Sequence, residues 1–157
     1  MRSVQIADFL KRSKGTFFNL AMRELRPSFL KKSYINSRAS FHLSKLAIPL
    51  LQRSDNAHII NQSPPLFKSK MLKKTIKNKT AYMISKWGMT LGALGLAEEY
   101  KGSGLAANTL WPMTPIESYA LKNNNLGNEK MWRKTDIMVD AVLEIVKEDA
   151  NTFTGNQ

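Results

Sequence analysis

A tyrosine and a lysine four residues apart, Tyr82 and Lys86, form the pair in this sequence whose types and spacing could do chemistry. Side chains at this spacing on a helix lie on one face, one turn apart. A cation in that position favours the phenolate form of the tyrosine. Such a tyrosine can give or accept a proton near neutral pH, which carbonyl reduction and alcohol oxidation require. The ordinary alternative is a half-buried tyrosine beside a solvated lysine.

The elements that must position this pair alternate between strands and helices. The hydrophobic pattern predicts a helix over about 35–52, with a buried face formed by Ala39, Leu43, Leu46, Ala47 and Leu50. It then predicts a strand at 57–61, the helix of Tyr82 and Lys86 over about 79–100, a strand at 105–110 and a helix over 134–147. This order indicates an α/β fold, rich in helix, with a small parallel sheet of two strands.

The first 32 residues are expected to form a separate basic segment of unknown role. Apolar residues at helical spacing, punctuated by Gly15 and Pro27, predict one or two short helices there. The chain would then consist of this segment, 1–32, and a domain over 33–157. A sheet of only two parallel strands would leave exposed edges, so the isolated fold is expected to be marginally stable.

The positive charge of the chain is concentrated in its first part. Residues 1–86 contain 18 Lys and Arg against 3 Asp and Glu, whereas residues 87–157 contain 6 and 9. Such a basic part is typical of a surface that binds anionic lipid or nucleic acid, or of a targeting segment. The acid-poor residues 1–45 resemble a mitochondrial transit peptide, so a mitochondrial or cytoplasmic location is expected. The lysines lack interleaved aromatic residues, which argues against nucleic acid as a partner.

Composition excludes several kinds of site. The chain has no cysteine, which rules out disulfides, thiolate zinc sites and cysteine nucleophiles. His42 and His58 lack the neighbours that metal ligation requires, so no metal site is expected. The most apolar stretch, Met89 to Ala97, is about half as long as a membrane-spanning helix. No secretory signal and no C-terminal peroxisomal signal is recognised.

Further short motifs surround Tyr-x-x-Ser-Lys in a definite order. They are Asn61-Gln62-Ser63-Pro64-Pro65-Leu66, Ala97-Glu98-Glu99-Tyr100-Lys101-Gly102, Ala106-Ala107-Asn108-Thr109-Leu110-Trp111-Pro112-Met113-Thr114 and Phe153-Thr154-Gly155. Together they resemble the C-terminal half of the short-chain dehydrogenase/reductase family, and most of all its hydroxysteroid dehydrogenase-like branch. The resemblance extends from about residue 33 to the C-terminus and implies a partial Rossmann-like fold.

The resemblance implies roles for individual residues in an NAD(P)-dependent oxidoreductase. Tyr82 would be the catalytic acid/base, and Lys86 would support it and bind the nicotinamide ribose. Asn36 would order a proton-relay water, although a plain helix N-cap is the alternative. Ser63 lies one residue before the position of the family serine. It could still orient a substrate carbonyl.

The resemblance covers the cofactor-binding part of the family incompletely. Pro112 and Thr114 match the loop on the nicotinamide side, but Pro112-Met113 stands where the family has Pro-Gly. No Gly-x-x-x-Gly-x-Gly or Gly-x-Gly-x-x-Gly occurs, so no Gly-rich turn is expected to hold the pyrophosphate of NAD(P). The nearest spacing lies inside the predicted Tyr82 helix, where we expect the glycines to permit close packing: Gly88, Gly92 and Gly95.

Three functions are compatible with the sequence. The first is a truncated short-chain dehydrogenase/reductase-like oxidoreductase for a small carbonyl or alcohol, inactive alone because it cannot hold NAD(P). The second is an interaction or regulatory protein that forms a homo- or hetero-oligomer with a full-length relative through the helices bearing Asn36 and Tyr82. The third is a basic amphipathic module that binds lipid or nucleic acid through residues 1–32 and 66–79.

Overall fold

The described part of the chain consists of helices packed on a small parallel sheet. The computed structural model describes residues 16–19, 29–66, 76–77, 79–123 and 128–157. Strand β1 spans Thr16–Asn19. Helix α1 (Phe29–Ser33) continues through a π-helical turn (Tyr34–Arg38) into α2 (Ala39–Leu51). The elements that follow are β2 (Ala57–Asn61), α3 (Thr80–Glu99), β3 (Leu105–Thr109), α4 (Tyr119–Asn123), a 3-10 turn (Glu129–Met131) and α5 (Asp136–Ile145).

The three described strands form one parallel sheet in the order β1–β2–β3. Thr16 lies opposite His58, and Ala57 lies opposite Leu105. The α/β class and the positions of β2, α3 and β3 are confirmed. The prediction of two strands was wrong, because residues 16–19 form a strand where a helix was expected. This segment, Thr-Phe-Phe-Asn, is rich in strand-forming residues but too short for its periodicity to separate strand from helix.

The far edge of β3 is lined by the last residues of the chain. The Gly155 amide donates to the Ala107 carbonyl at 3.0 Å, and the Thr109 amide donates to the Asn156 carbonyl at 2.9 Å. Gly155 has a φ of 75°, in the left-handed region that favours glycine. These bonds satisfy backbone groups of β3 that would otherwise be unpaired at a sheet edge.

One face of the sheet packs on α2 and on the second half of α3. Alternate residues of a strand point to the same face, so Ala57 and Ile59 of β2 join Leu105 and Ala107 of β3. The helices complete this core with Ala47, Ile48, Leu51, Leu96 and Ala97. The small alanine side chains allow the helices to lie close to the strands.

The buried face of α2 matches the predicted one only in part: Ala47 is buried and Leu43 packs against the core, but two leucines point outward. Leu46 is 74% exposed and Leu50 is 44% exposed. The buried residues of this helix are Ser40, Ser44, Ala47, Ile48 and Leu51. The Ser40 hydroxyl donates to Asn61 Oδ1 at 2.9 Å, and Asn61 Nδ2 donates to the Met89 carbonyl at 3.2 Å. A hydrogen bond to the strand therefore stabilises a polar residue on the buried face, and apolar side chains remain on the outside.

The π-helical turn and α3 approach each other most closely at Gly88. A β-carbon at Gly88 would overlap with Ser37 Oγ and lie 2.8 Å from Ser37 Cβ. At Gly92 and Gly95 an added β-carbon would meet no atom within 4 Å. The prediction that these glycines permit close packing is therefore confirmed for Gly88 and wrong for the other two.

Replacing Gly88 should destabilise the fold, whereas replacing Gly92 should not. Gly88→Ala inserts a methyl group into occupied space and should lower the free energy of unfolding by about 1–3 kcal/mol. Gly92→Ala is the matched control in the same helix, and it should raise that free energy by about 0.5–1 kcal/mol because alanine is the better helix former. Urea unfolding followed by circular dichroism measures both. Equal stability of the two variants would contradict the close approach at Gly88.

Hydrogen bonds of His58 and Asn56 connect the beginning of β2 to the segment after α5. It is fully buried, and its Nε2 donates to the Glu148 carbonyl at 3.1 Å. Asn56 Nδ2 donates to the carbonyls of Val146 and Glu148, and the Ala150 amide donates to Asn56 Oδ1. Burial lowers the pKa of His58 below its usual 6.5, although the Glu148 carbonyl and the charge of Asp149 act in the opposite direction.

The free energy of unfolding should fall as the pH drops below 6.5, the usual pKa of histidine. The unfolded chain binds a proton at His58 more readily than the folded one, so stability is lost as the pH falls through the two pKa values. His58→Gln should flatten this dependence between about pH 5 and 7 in denaturant titrations. His42→Gln, at an exposed position of α2, should leave it unchanged. If the free energy of unfolding depended on pH equally in both variants, His58 would not be the responsible group.

Candidate active site

The candidate site lies at the carboxyl edge of the sheet. Gln62 and Ser63 follow directly after β2, and Trp111 and Pro112 follow shortly after β3. The carboxyl ends of parallel strands meet at one edge, and open α/β sheets bind ligands in the crevice outside it. The predicted site residues that follow the two strands are therefore brought to the same edge.

The side chain of Lys86 extends from α3 to the ends of both β2 and β3. Its side chain is 5% exposed, and Nζ donates to the Gln62 carbonyl at 2.9 Å. The same nitrogen lies 6.0 Å from the centre of the Trp111 ring. Burial lowers the pKa of Lys86 to about 8 because the charged form loses its hydration. Lys86 is therefore not a solvated surface lysine.

Tyr82 lies on α3 one turn before Lys86 and is half-buried. A second cation faces it from α1, where Lys32 Nζ lies 6.0 Å from the centre of the tyrosine ring. Lys32 was not predicted as a site residue because it lies outside the region of family resemblance. No local signal could have found it, since its contact with Tyr82 depends on how α1 packs against α3.

Asn36 contacts α3 through Ser85. Asn36 is 6% exposed, and its Nδ2 donates to Ser85 Oγ at 2.9 Å. Ser85 Oγ in turn donates to the Tyr82 carbonyl at 2.7 Å. Asn36 lies within the π-helical turn, so the interpretation of this residue as a helix N-cap was wrong. Its ordering of a relay water stays a prediction.

Ser63 is fully buried at the exit of β2. Its hydroxyl has no hydrogen-bond partner among the described residues. Leaving a buried hydroxyl unpaired costs about 1–3 kcal/mol, and such a group needs an explanation. The orientation of a substrate carbonyl by Ser63 stays a prediction.

Pro112 and Thr114 lie on the loop after β3 and are both half-buried, whereas Met113 between them is 98% exposed. Like Trp111, which lies near the Lys86 ammonium, they follow the end of β3. The Ser85 hydroxyl connects Asn36 to the Tyr82 carbonyl, and Lys86 follows one turn later on the same helix. The structure thus brings those three together and places Pro112 and Thr114 on the adjoining loop.

Within the described residues, the glycine spacing nearest to a phosphate-binding motif does not form a phosphate-binding turn. The binding of a nicotinamide ribose by Lys86 stays a prediction. The Gly88, Gly92 and Gly95 series, the nearest to a phosphate-binding spacing, lies inside α3, where the backbone amides are used in the helix. Among the described residues, these three glycines therefore offer no free amides to the pyrophosphate of NAD(P).

The basic segments lie mainly outside the described residues. Of the six lysines within residues 66–79, only Lys77 and Lys79 are described, and residues 1–15 and 20–28 are not. The mitochondrial location stays a prediction. Within the described ranges, no three acidic or histidine side chains gather as they would around a metal ion. No described helix has the length and apolar character needed to cross a membrane.

Sequence comparison identifies relatives of most of the chain. No protein-family model matches it. It is 46% identical over 123 residues to hydroxysteroid dehydrogenase-like protein 2 of Xenopus laevis, an alignment that covers 78% of this chain and 28% of that protein. The Danio rerio protein of the same name is 45% identical over 124 residues, covering 77% of this chain and 28% of the relative. The chain thus spans less than a third of the length of these relatives.

Structure comparison gives the same family. A short-chain dehydrogenase from Mycobacterium thermoresistibile is 32% identical, with a TM-score of 0.78 over 98% of this chain and 57% of that one. A 4-hydroxyisoleucine dehydrogenase complexed with NADH shares the fold, with a TM-score of 0.66 and 20% identity over 98% of this chain and 71% of that one. Sequence and fold together show that the chain belongs to the short-chain dehydrogenase/reductase family.

Proposed function

We propose that this chain carries the proton-transfer part of a short-chain dehydrogenase/reductase site and does not transfer hydride by itself. The observation that supports this most directly is the buried ammonium of Lys86, held between the Gln62 carbonyl and the Trp111 ring, one turn after Tyr82. A lysine kept charged in that position is costly for stability and useful for proton transfer.

Tyr82 would give a proton to a carbonyl oxygen, or take one from an alcohol. Lys86 and Lys32 would favour its phenolate form from two sides, through positive charge. Ser63, whose buried hydroxyl has no described partner, would donate a hydrogen bond to the same substrate oxygen. The substrate class is therefore a small molecule with a carbonyl or secondary alcohol group.

The chain would lack a site that holds the nicotinamide cofactor. Relatives are dehydrogenases, and one neighbour of the same fold is complexed with NADH. The present sequence contains no Gly-rich turn whose backbone amides could hold a pyrophosphate. Much of the rate enhancement in such reactions comes from holding the reactants in position. Tyr82 and Lys86 alone would supply only the proton-transfer groups.

The purified chain should not bind NADH or NADPH. Titration followed by nicotinamide fluorescence should show no saturation up to about 1 mM, the upper end of typical substrate constants. The short-chain dehydrogenase from Mycobacterium thermoresistibile serves as the positive control. Saturation at micromolar nucleotide would contradict the proposal. Carbonyl reduction that Tyr82→Phe abolishes would show in addition that the chain is an active enzyme.

A second function, pairing with a homologous subunit, is favoured by the outer surface of the helices. Large apolar side chains are exposed along one continuous helical segment and on α3: Tyr34, Phe41, Leu46, Leu50, Ile84 and Leu91. A groove of about 380 Å³ lies between them, lined in part by Phe41, Gly88 and Gly92. Exposed large apolar side chains beside a groove are typical of protein interfaces. The chain could in this way regulate an intact relative.

Charged residues on this surface should abolish such pairing. The unaltered chain should co-purify with full-length hydroxysteroid dehydrogenase-like protein 2, and Leu46→Lys combined with Leu91→Lys should not, because burying unpaired charges opposes association. Leu143→Lys, at an exposed leucine of α5, is the matched control and should still co-purify. A chain that remains monomeric in every mixture would contradict this second function.

A further inference from the structure

Two hydrogen bonds meet at the hydroxyl group of Ser85, between Tyr82 and Lys86 on α3. Its Oγ accepts from Asn36 Nδ2 at 2.9 Å and donates to the Tyr82 carbonyl at 2.7 Å. The Ser85 carbonyl accepts a third bond, from Ser37 Oγ at 2.6 Å. Ser85 is fully buried. A bond from a helical serine to the preceding turn is common, but a buried amide donating to the same hydroxyl is an additional constraint.

The π-helical turn makes this convergence feasible. Asn36 and Ser37 are consecutive residues, and both reach Ser85, one at its side chain and the other at its carbonyl. Consecutive residues of a regular α-helix point about 100° apart, and the wider π turn reduces that angle. Such turns are rare and occur frequently at functional sites. Gly88 leaves the space that Ser37 needs at this crossing.

The first turn of α3 packs against α1 but has no side-chain cap. Lys79 precedes the helix without a side-chain capping bond, and the first turn contains no acidic residue. First turns in that condition tend to fray, because their amide groups lack partners. Tyr82 lies in this turn. Lys86 lies one turn further on, where its side chain must reach the Gln62 carbonyl.

We infer that Ser85 is a positioning residue of the site, whose hydroxyl, held by Asn36, fixes the first turns of α3 so that Tyr82 and Lys86 lie together over the ends of β2 and β3. This inference rests on the proposed roles of Tyr82 and Lys86. In this arrangement Asn36 acts on the site through its hydrogen bond to Ser85. Ser85 itself touches neither the strand exits nor the Lys86 ammonium in any described hydrogen bond.

The direct test compares Ser85→Ala with a matched serine. Loss of the Ser85 hydroxyl should let the Lys86 ammonium move toward water, so its pKa should rise from about 8 toward 10.5. Ser44 is equally buried, on α2, and its hydroxyl has no partner among the described residues. Ser44→Ala should therefore leave the pKa of Lys86 at about 8. The readout is the pH titration of lysine side-chain resonances by NMR, assigned through Lys86→Arg.

An unchanged pKa of Lys86 in folded Ser85→Ala would overturn the inference and leave Ser85 with a purely structural role. Should that variant not fold, hydrogen exchange in the unaltered chain decides the question. The amides of residues 83–86 should exchange within about tenfold of those of residues 89–93, and exchange about a hundredfold faster would overturn it. Neither readout uses nucleotide or substrate, so a failure of the proposed function in the NAD(P) titration is distinguishable from a failure here.

Discussion

The burial of one ammonium group, that of Lys86, is the constraint on which the rest of the site depends. Its pKa falls from 10.5 to about 8, so keeping it charged in the folded state at neutral pH costs roughly 3 kcal/mol of folding free energy. That cost is present below pH 8 and disappears as the pH rises toward 10.5, because the folded state loses this proton first. The Gln62 carbonyl and the Trp111 ring offset only part of the lost hydration. An apolar side chain would serve stability better, and this is the ground on which we propose a role in proton transfer for Lys86.

The surrounding structure holds α3 over the strand ends from several directions. Gly88 permits the close crossing with the π-helical turn, and Ser40 and Asn61 connect α2, β2 and the Met89 carbonyl in one buried polar network. The last residues of the chain satisfy one edge of the sheet. The apolar core beneath is built largely from alanine and aliphatic side chains. These contacts explain why a short sheet can support a defined site on its carboxyl edge.

The sequence alone was sufficient for the strongly patterned elements. The buried run at 57–61 and the long apolar helix after it were predicted to within a residue, and with them the placement of Tyr82 on a helix face. The four residues of β1 were too few to show a period. The buried face of α2 was predicted in part: Ala47 is buried, but Leu46 and Leu50 are exposed, and Ser40 is buried through a hydrogen bond to a strand. The partners of the pair, Lys32 and the Gln62 carbonyl, depend on tertiary packing and leave no local trace.

The pKa of the Lys86 ammonium in the unaltered protein is the measurement that tests this account most directly. NMR titration of its side-chain resonances should give a value of about 8, because the group is buried against the carboxyl edge of the sheet. A value close to 10.5, the ordinary one for lysine, would place the ammonium in water. Tyr82 would then have no buried cation beside it, and the proposed proton-transfer site would not exist in this chain.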